Sequence, residues 1–190
     1  MKVLLLDNYD SFTYNLLHLM EQFEGVETVV LRNDEITVDQ AAVYDRILIS
    51  PGPGLPSEAG ITKKLIAEYY NSKPIFGICL GLQAIAEVCG GNIYNMPEVM
   101  HGVSAKTIII DPGEELFKGI SSPFLTGRYH SWALKKETLP VNLHITAIDD
   151  EGVIMAARHE NNLLRGVQFH PESILTDFGR QIIENWLFHC

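Results

Sequence analysis

The sequence predicts an α/β protein: one domain over residues 1–190, with a mostly parallel central sheet, helices on both faces and an antiparallel extension in its second half. Three observations carry this reading. A continuous apolar run at 3–6 suits a strand buried on both faces, as in a parallel sheet, and further strands are read at 46–50 and 74–78. Segments with helical spacing lie between them, and that alternation signals helices packed on both sides of a sheet. A length of 190 residues, 46% hydrophobic and 20% charged, suits a layered domain with a substantial core and excludes wholesale disorder.

The elements follow in order. The first strand, 3–6, closes on Asp7-Asn8. Phe12, Leu16, Leu19, Met20 and Phe23 then recur at helical spacing, with Asp10 or Ser11 placed to cap the helix and Gly25 to end it. Residues 27–31 read as a second strand, rich in β-branched side chains, and 46–50 as a third that stops at Pro51-Gly52-Pro53-Gly54. Residues 60–70 read as a helix, 74–78 as a fourth strand, and 80–88 as a helix stopped by Gly90-Gly91. From 92 to 167 the pattern changes to short strand-like runs at 106–110, 144–148, 153–158 and 164–169, broken by turns such as Asp111-Pro112-Gly113. This is the expected antiparallel extension. Residues 178–188 form a terminal amphipathic helix with Phe178, Ile182, Ile183, Trp186 and Leu187 on one side.

Composition narrows the function. With 24 acidic against 14 basic side chains the formal charge is −10, which argues against nucleic acid, whose phosphates need a basic face. The longest uncharged apolar stretch, 74–86, falls short of the roughly 18 residues a membrane span needs. The four apolar residues between Lys2 and Asp7 are fewer than the about 7 to 15 of a signal-peptide core, so the expected compartment is the cytoplasm. Three cysteines, Cys79, Cys89 and Cys190, make an odd number without zinc or redox spacing. No metal is expected, and no glycine-rich nucleotide loop follows the first strand.

The strongest local signal is Gly77-Ile78-Cys79-Leu80-Gly81. A buried strand runs straight into a helix with a cysteine at the junction, the arrangement of a nucleophile elbow. Glycines two positions either side let the turn close. A free thiol titrates at about 8.5, and a helix N-terminus favours its thiolate, while the N–H of Leu80 is placed to donate to an oxyanion. The competing reading is a small core cysteine, which flanking glycines at a strand–helix corner disfavour.

A cysteine nucleophile needs a base. Of seven histidines, His170 in Gln168-Phe169-His170-Pro171-Glu172 has the best spacing. Residues two apart on extended backbone share a face, so Glu172 can orient the His170 imidazole toward the sulfur. Pro171 cannot donate to a ladder and should end the strand, which puts the pair at a C-terminal sheet edge. The Pro51-Gly52-Pro53-Gly54 loop is rigid; if it lies beside the elbow, the N–H of Gly52 joins that of Leu80 as an oxyanion hole. His130, followed by Ser131-Trp132, belongs to a polar-aromatic cluster suited to a pocket wall.

Together these residues resemble the class I, triad-type glutamine amidotransferases over essentially the whole chain. Gly77-Ile78-Cys79-Leu80-Gly81-Leu82-Gln83 is similar to that family's nucleophile segment, His170-Pro171-Glu172 to its His/Glu segment and Pro51-Gly52-Pro53-Gly54 to its oxyanion loop. The opening Asp7-Asn8-Tyr9-Asp10-Ser11-Phe12-Thr13-Tyr14-Asn15 resembles the glutaminase subunits of anthranilate and aminodeoxychorismate synthases. The resemblance implies a Cys79–His170–Glu172 triad acting on L-glutamine through a thioester, with no cofactor. It implies Gly52 and Leu80 on the oxyanion, Gln83 and Ser131 on the substrate's α-amino and α-carboxylate groups, and ammonia passing to a chorismate-binding synthase subunit. One departure stands out: Val103 follows His101-Gly102 where that family usually has Lys, in a segment that meets the partner. Two other readings remain at this stage, a free-standing cysteine hydrolase of γ-glutamyl substrates and a regulatory module that has lost turnover.

Overall fold

The chain alternates strand and helix as far as Val88 and then turns almost wholly to strand. A computed structural model describes all 190 residues. The elements are β1 (Lys2–Asp7), α1 (Thr13–Met20), β2 (Glu27–Arg32), β3 (Arg46–Ile49), α2 (Thr62–Tyr69), β4 (Ile75–Ile78) and α3 (Leu80–Val88). They continue with β5 (Ile93–Asn95), β6 (Val103–Ile109), β7 (Phe124–Arg128), β8 (Trp132–Leu134), β9 (Leu143–Ile148), β10 (Ile154–His159), β11 (Leu164–Val167) and α4 (Gly179–Phe188). Nine strands form one sheet in the order β2-β1-β3-β4-β11-β10-β9-β6-β7, and β5 pairs with β8 as a separate ribbon. The first five in that order are parallel. From β11 onward every pairing is antiparallel.

Period-two alternation sorts the apolar side chains onto two faces of nearly equal weight, with clusters of 21 and 20 buried residues. Val3 and Leu5 of β1 join Leu16, Phe76 and Trp186 on the α1/α4 side. Leu4 and Leu6 join Leu65, Ile66 and Ile85 on the α2/α3 side. A strand covered on both sides has no use for polar positions, which is why β1 reads as an unbroken apolar run.

Strand order reverses between β1 and β3: β2 lies outside β1, while β3 and β4 lie on its other side. Such a switch point opens a crevice at the C-terminal edge of the strands. The loops that leave β1, β3, β4 and β11 all emerge there.

Several local expectations are corrected. Neither Asp10 nor Ser11 caps α1; Phe12 holds the cap position, and no side chain caps the helix. The Asp10 carboxylate instead accepts from the Phe12 N–H at 2.8 Å, forming a turn just before the helix. Gly25 does not end α1, which stops at Met20; with φ of 78° it shapes the turn into β2. Phe178 precedes α4 with φ of 58° and is 41% exposed, so the buried face comprises Ile182, Ile183, Trp186 and Leu187. The strands β5, β7 and β8 have no counterpart in the sequence reading, since two of them are only three residues long and the third is an edge strand containing Gly127. β11 sits in the parallel half, beside β4, whereas the sequence had grouped it with the antiparallel extension.

Candidate active site

At the end of β4 the backbone turns sharply. Cys79 adopts φ 52° and ψ −102°, and α3 begins at the next residue. A positive φ at a non-glycine is strained and persists only where the surroundings over-determine it. They do here: a Cβ at Gly77 would lie 2.4 Å from the Gly81 carbonyl carbon, so strand and helix close on each other only because Gly77 has none. The Cys79 N–H donates to the Val167 carbonyl at 2.8 Å, tying the elbow to β11. Cys79 is 6% exposed, yet it lines two clefts.

His170 lies just past β11, which runs beside β4, so adjacent parallel strands bring His170 and Cys79 to one edge. Its backbone is held by an N–H donated to the Gly127 carbonyl and by its own carbonyl accepting from Thr176 Oγ1 at 2.6 Å. The His170 Nδ1 lies 2.7 Å from Glu172 Oε1. A carboxylate only accepts, so Nδ1 carries the proton. Phe12 and Tyr129 pack edge-on against the imidazole, with ring centroids at 5.4 and 4.9 Å. The Tyr129 hydroxyl in turn meets Ser173 Oγ at 3.0 Å. His170 Nε2 is buried without a hydrogen bond of regular geometry. Burial pulls the imidazole down, but its interactions with Cys79 and with the Glu172 carboxylate more than reverse this and push it up to about 10. It therefore stands as an imidazolium beside the sulfur at neutral pH.

The loop after β3 does lie beside the elbow. A Cβ on Gly52 would come within 2.7 Å of Asn8 Cβ and Asn8 O, and 3.4 Å of Leu80 Cδ1. Asn8 underpins that loop: its N–H donates to Ser50 Oγ at 2.8 Å and its side-chain amide to the Ser50 carbonyl at 3.1 Å. Its own Oδ1 accepts from Asn33 and Thr62, so a buried amide bonded at both ends supports the loop beside Leu80.

The two clefts meet at the sulfur. One, of about 180 Å³, is lined by Gly52, Gln83, His130, Ser131 and Trp132. The other, of about 350 Å³, is lined by Tyr9, Asp10, Phe12, His101 and His170. Gln83 and Ser131 thus lie in one cleft and His170 in the other, with Cys79 between. The Gln83 Nε2 donates to the Trp132 carbonyl at 3.0 Å, which turns its oxygen free of internal partners. His130 donates Nδ1–H to the Trp132 carbonyl at 3.0 Å; burial, assisted by Arg128 and His170, pushes it down to about 4, so it is neutral.

The model of the class-I glutamine amidotransferase family matches residues 4–190. The chain belongs to this family. The amidotransferase is 46% identical over 187 residues to aminodeoxychorismate/anthranilate synthase component 2 of Bacillus subtilis (strain 168), covering 97% of this chain and 95% of that one. It is 44% identical over 188 residues to anthranilate synthase component 2 of Pyropia yezoensis, covering 97% and 98%. Its fold is similar to the crystal structure of a glutamine amidotransferase from Thermotoga maritima, with TM-score 0.77 at 16% identity over 98% of this chain and 80% of that one. A structural likeness at that identity speaks for fold alone.

The amidotransferase also gathers residues that sequence reasoning passed over. Asn8 was read as the end of the first strand and Phe12 as a helix position, both without a role at the site, and Tyr129 was not singled out. Gln168 was quoted beside His170 without a role, yet its amide reaches Cys79 Sγ at 3.4 Å. A polar residue inside an apolar strand end, as in Gly166-Val167-Gln168-Phe169, was the available signal: a buried amide needs partners.

Proposed function

We propose that the chain is the glutaminase component of a chorismate-using synthase, hydrolysing the side-chain amide of L-glutamine and delivering ammonia to a larger subunit. The observation that carries this is the Cys79 elbow with the His170–Glu172 pair on the adjacent strand. Glutamine occupies the cleft of Gln83 and Ser131, with its amide carbon presented to Cys79. The sulfur attacks that carbon while the oxyanion takes the N–H groups of Gly52 and Leu80. As the C–N bond breaks, the His170 imidazolium gives its proton to the leaving nitrogen, and ammonia departs from a glutamyl thioester. Neutral His170 then takes a proton from water, whose oxygen attacks the thioester, and glutamate leaves as the sulfur regains its charge. Glu172 keeps the imidazole aligned and supports its charge in both halves.

Ammonia released to water is wasted, so cleavage should depend on a bound synthase. The second cleft is lined by Tyr9, Phe12 and His101, and Tyr14 and Val103, each two residues further along the chain from Phe12 and His101, are exposed. That is the face on which we place the partner. The curated relatives are named for anthranilate and aminodeoxychorismate synthases, and both products follow from amination of chorismate. We place the protein in the cytoplasm; no helix is long and apolar enough to cross a membrane.

In the assembled complex, Cys79→Ala should abolish glutamine-dependent amination and leave ammonia-dependent amination intact. Full glutaminase activity in that variant would overturn the assignment.

A further inference from the structure

Gln168 is completely buried, and the triad chemistry leaves it without a part. Its Nε2 donates to Cys79 Sγ at 3.4 Å. Its Oε1 accepts from Gln83 Nε2 at 3.3 Å. The second contact fixes the direction of the first: the Gln83 nitrogen is a donor, so the oxygen of Gln168 must face it and the N–H₂ end must face the sulfur. Gln83 is itself oriented by the Trp132 carbonyl. A continuous chain of hydrogen bonds therefore runs from the wall of the glutamine cleft to the nucleophile.

The backbone of the same residue is pinned as well, its N–H donating to the Met155 carbonyl at 2.8 Å. The amide is thus held by β10 behind it and by Gln83 at its side, and little freedom remains at the sulfur end. A thiol is a weak acceptor and a thiolate a stronger one, so a buried amide committed to sulfur is best satisfied when the sulfur is anionic.

We propose that Gln168 is a positioning residue, which holds the Cys79 sulfur through its Nε2 and couples it through its Oε1 to Gln83 in the substrate cleft. The N–H acts twice in a turnover. It supports the sulfur before attack, and it meets the charge that returns to sulfur when water expels it from the thioester. This rests on the glutaminase reading, which would give Gln168 a place in the reaction without contact to substrate.

Two substitutions separate the ends of the amide. Gln168→Met removes both hydrogen bonds at similar length, whereas Gln168→Glu keeps an acceptor for Gln83 and removes the donor to sulfur. Iodoacetamide alkylation of Cys79 at pH 7, read on the Cys79 peptide by mass spectrometry, should slow about tenfold in both. Glutaminase kcat in the assembled complex should fall in both, and KM for glutamine should rise only in Gln168→Met. Alkylation within twofold of the unaltered chain, in either folded variant, overturns the proposal. Should both fail to fold, the side-chain amide protons of Gln168 in the unaltered chain provide the decision: their NMR shifts must follow Cys79 ionisation and cease to do so in Cys79→Ala, and a flat titration overturns the proposal. An unaltered chain that alkylates at Cys79 yet hydrolyses no glutamine with its partner would instead remove the glutaminase reading.

Discussion

The Nδ1 of His170 and Oε1 of Glu172 lie 2.7 Å apart, and solvent is sealed from both side chains. The other carboxylate oxygen, Oε2, is buried with no partner of its own. A carboxylate kept in that condition is tolerable only while a cation sits beside it. Glu172 and His170 are therefore one unit: the buried charge holds the imidazole as imidazolium, and the imidazolium justifies the buried charge.

Replacing Glu172 with Gln keeps the shape and removes that charge. The glutaminase kcat, assayed with the partner bound, should fall about 10²- to 10⁴-fold, with a much smaller change in KM. A kcat within threefold of the parent would show that the carboxylate merely fills space.

Two histidines shape stability against pH in opposite directions. His170 is raised from 6.5 to about 10, so its contribution is complete below pH 6.5 and is lost as pH climbs toward 10. His130 is depressed from 6.5 to about 4, so its contribution is complete above pH 6.5 and is lost as pH falls toward 4. From these two groups Tm should peak near pH 6.5. Thermal scans from pH 4 to 10 should show His130→Asn flattening the acid limb and His170→Asn the alkaline limb; unchanged limbs in both variants would contradict these shifts.

The positive φ of Cys79 stores strain, and two substitutions measure it. Both Cys79→Ala and Cys79→Gly lack the sulfur, but only glycine adopts φ 52° freely. Cys79→Gly should be the more stable by on the order of 1 kcal/mol in urea titrations, despite the greater freedom of glycine in the unfolded chain. Equal midpoints would mean that the turn relaxes without penalty.

Gly52→Ala tests the oxyanion loop. The new methyl would meet Asn8 Cβ and Asn8 O at 2.7 Å, so the loop must lift away from Leu80. The expected result is a fall in kcat of about 10²-fold, the order of losing one oxyanion donor, with Tm lowered by only a few degrees. Full activity at reduced Tm would separate the loop from the chemistry.

Much of this was legible before any coordinates. The run around Leu5 identifies a parallel strand because burial on both faces erases alternation, and glycines around Cys79 announce a tight strand–helix corner. The two-residue spacing of His170 and Glu172 is a weak signal by itself and gained its weight from the Cys79 elbow. What escaped was long-range. Nothing local in Leu164 to Val167 reveals that this segment enters the sheet beside β4, because strand order is decided by which faces need covering. Asn8 and Gln168 escaped for a related reason: each is a polar residue whose partners, Ser50 and Thr62 in one case and Cys79 and Gln83 in the other, lie far away in sequence. The cap of α1 was misjudged because the carboxylate of Asp10 was spent on a turn one step earlier.

The insertion of β11 between β4 and β10 also sets the order in which the enzyme comes into being. A ribosome releases the Cys79 elbow early and His170 late, and without residues 164–167 no strand joins β4 to β10. The sulfur then has no imidazolium, no Val167 carbonyl to anchor its backbone and no amide at its side. On the proposed chemistry, a chain cut short anywhere before that strand should fail to turn over glutamine, and ammonia production should begin only when the fold closes around its last parallel strand.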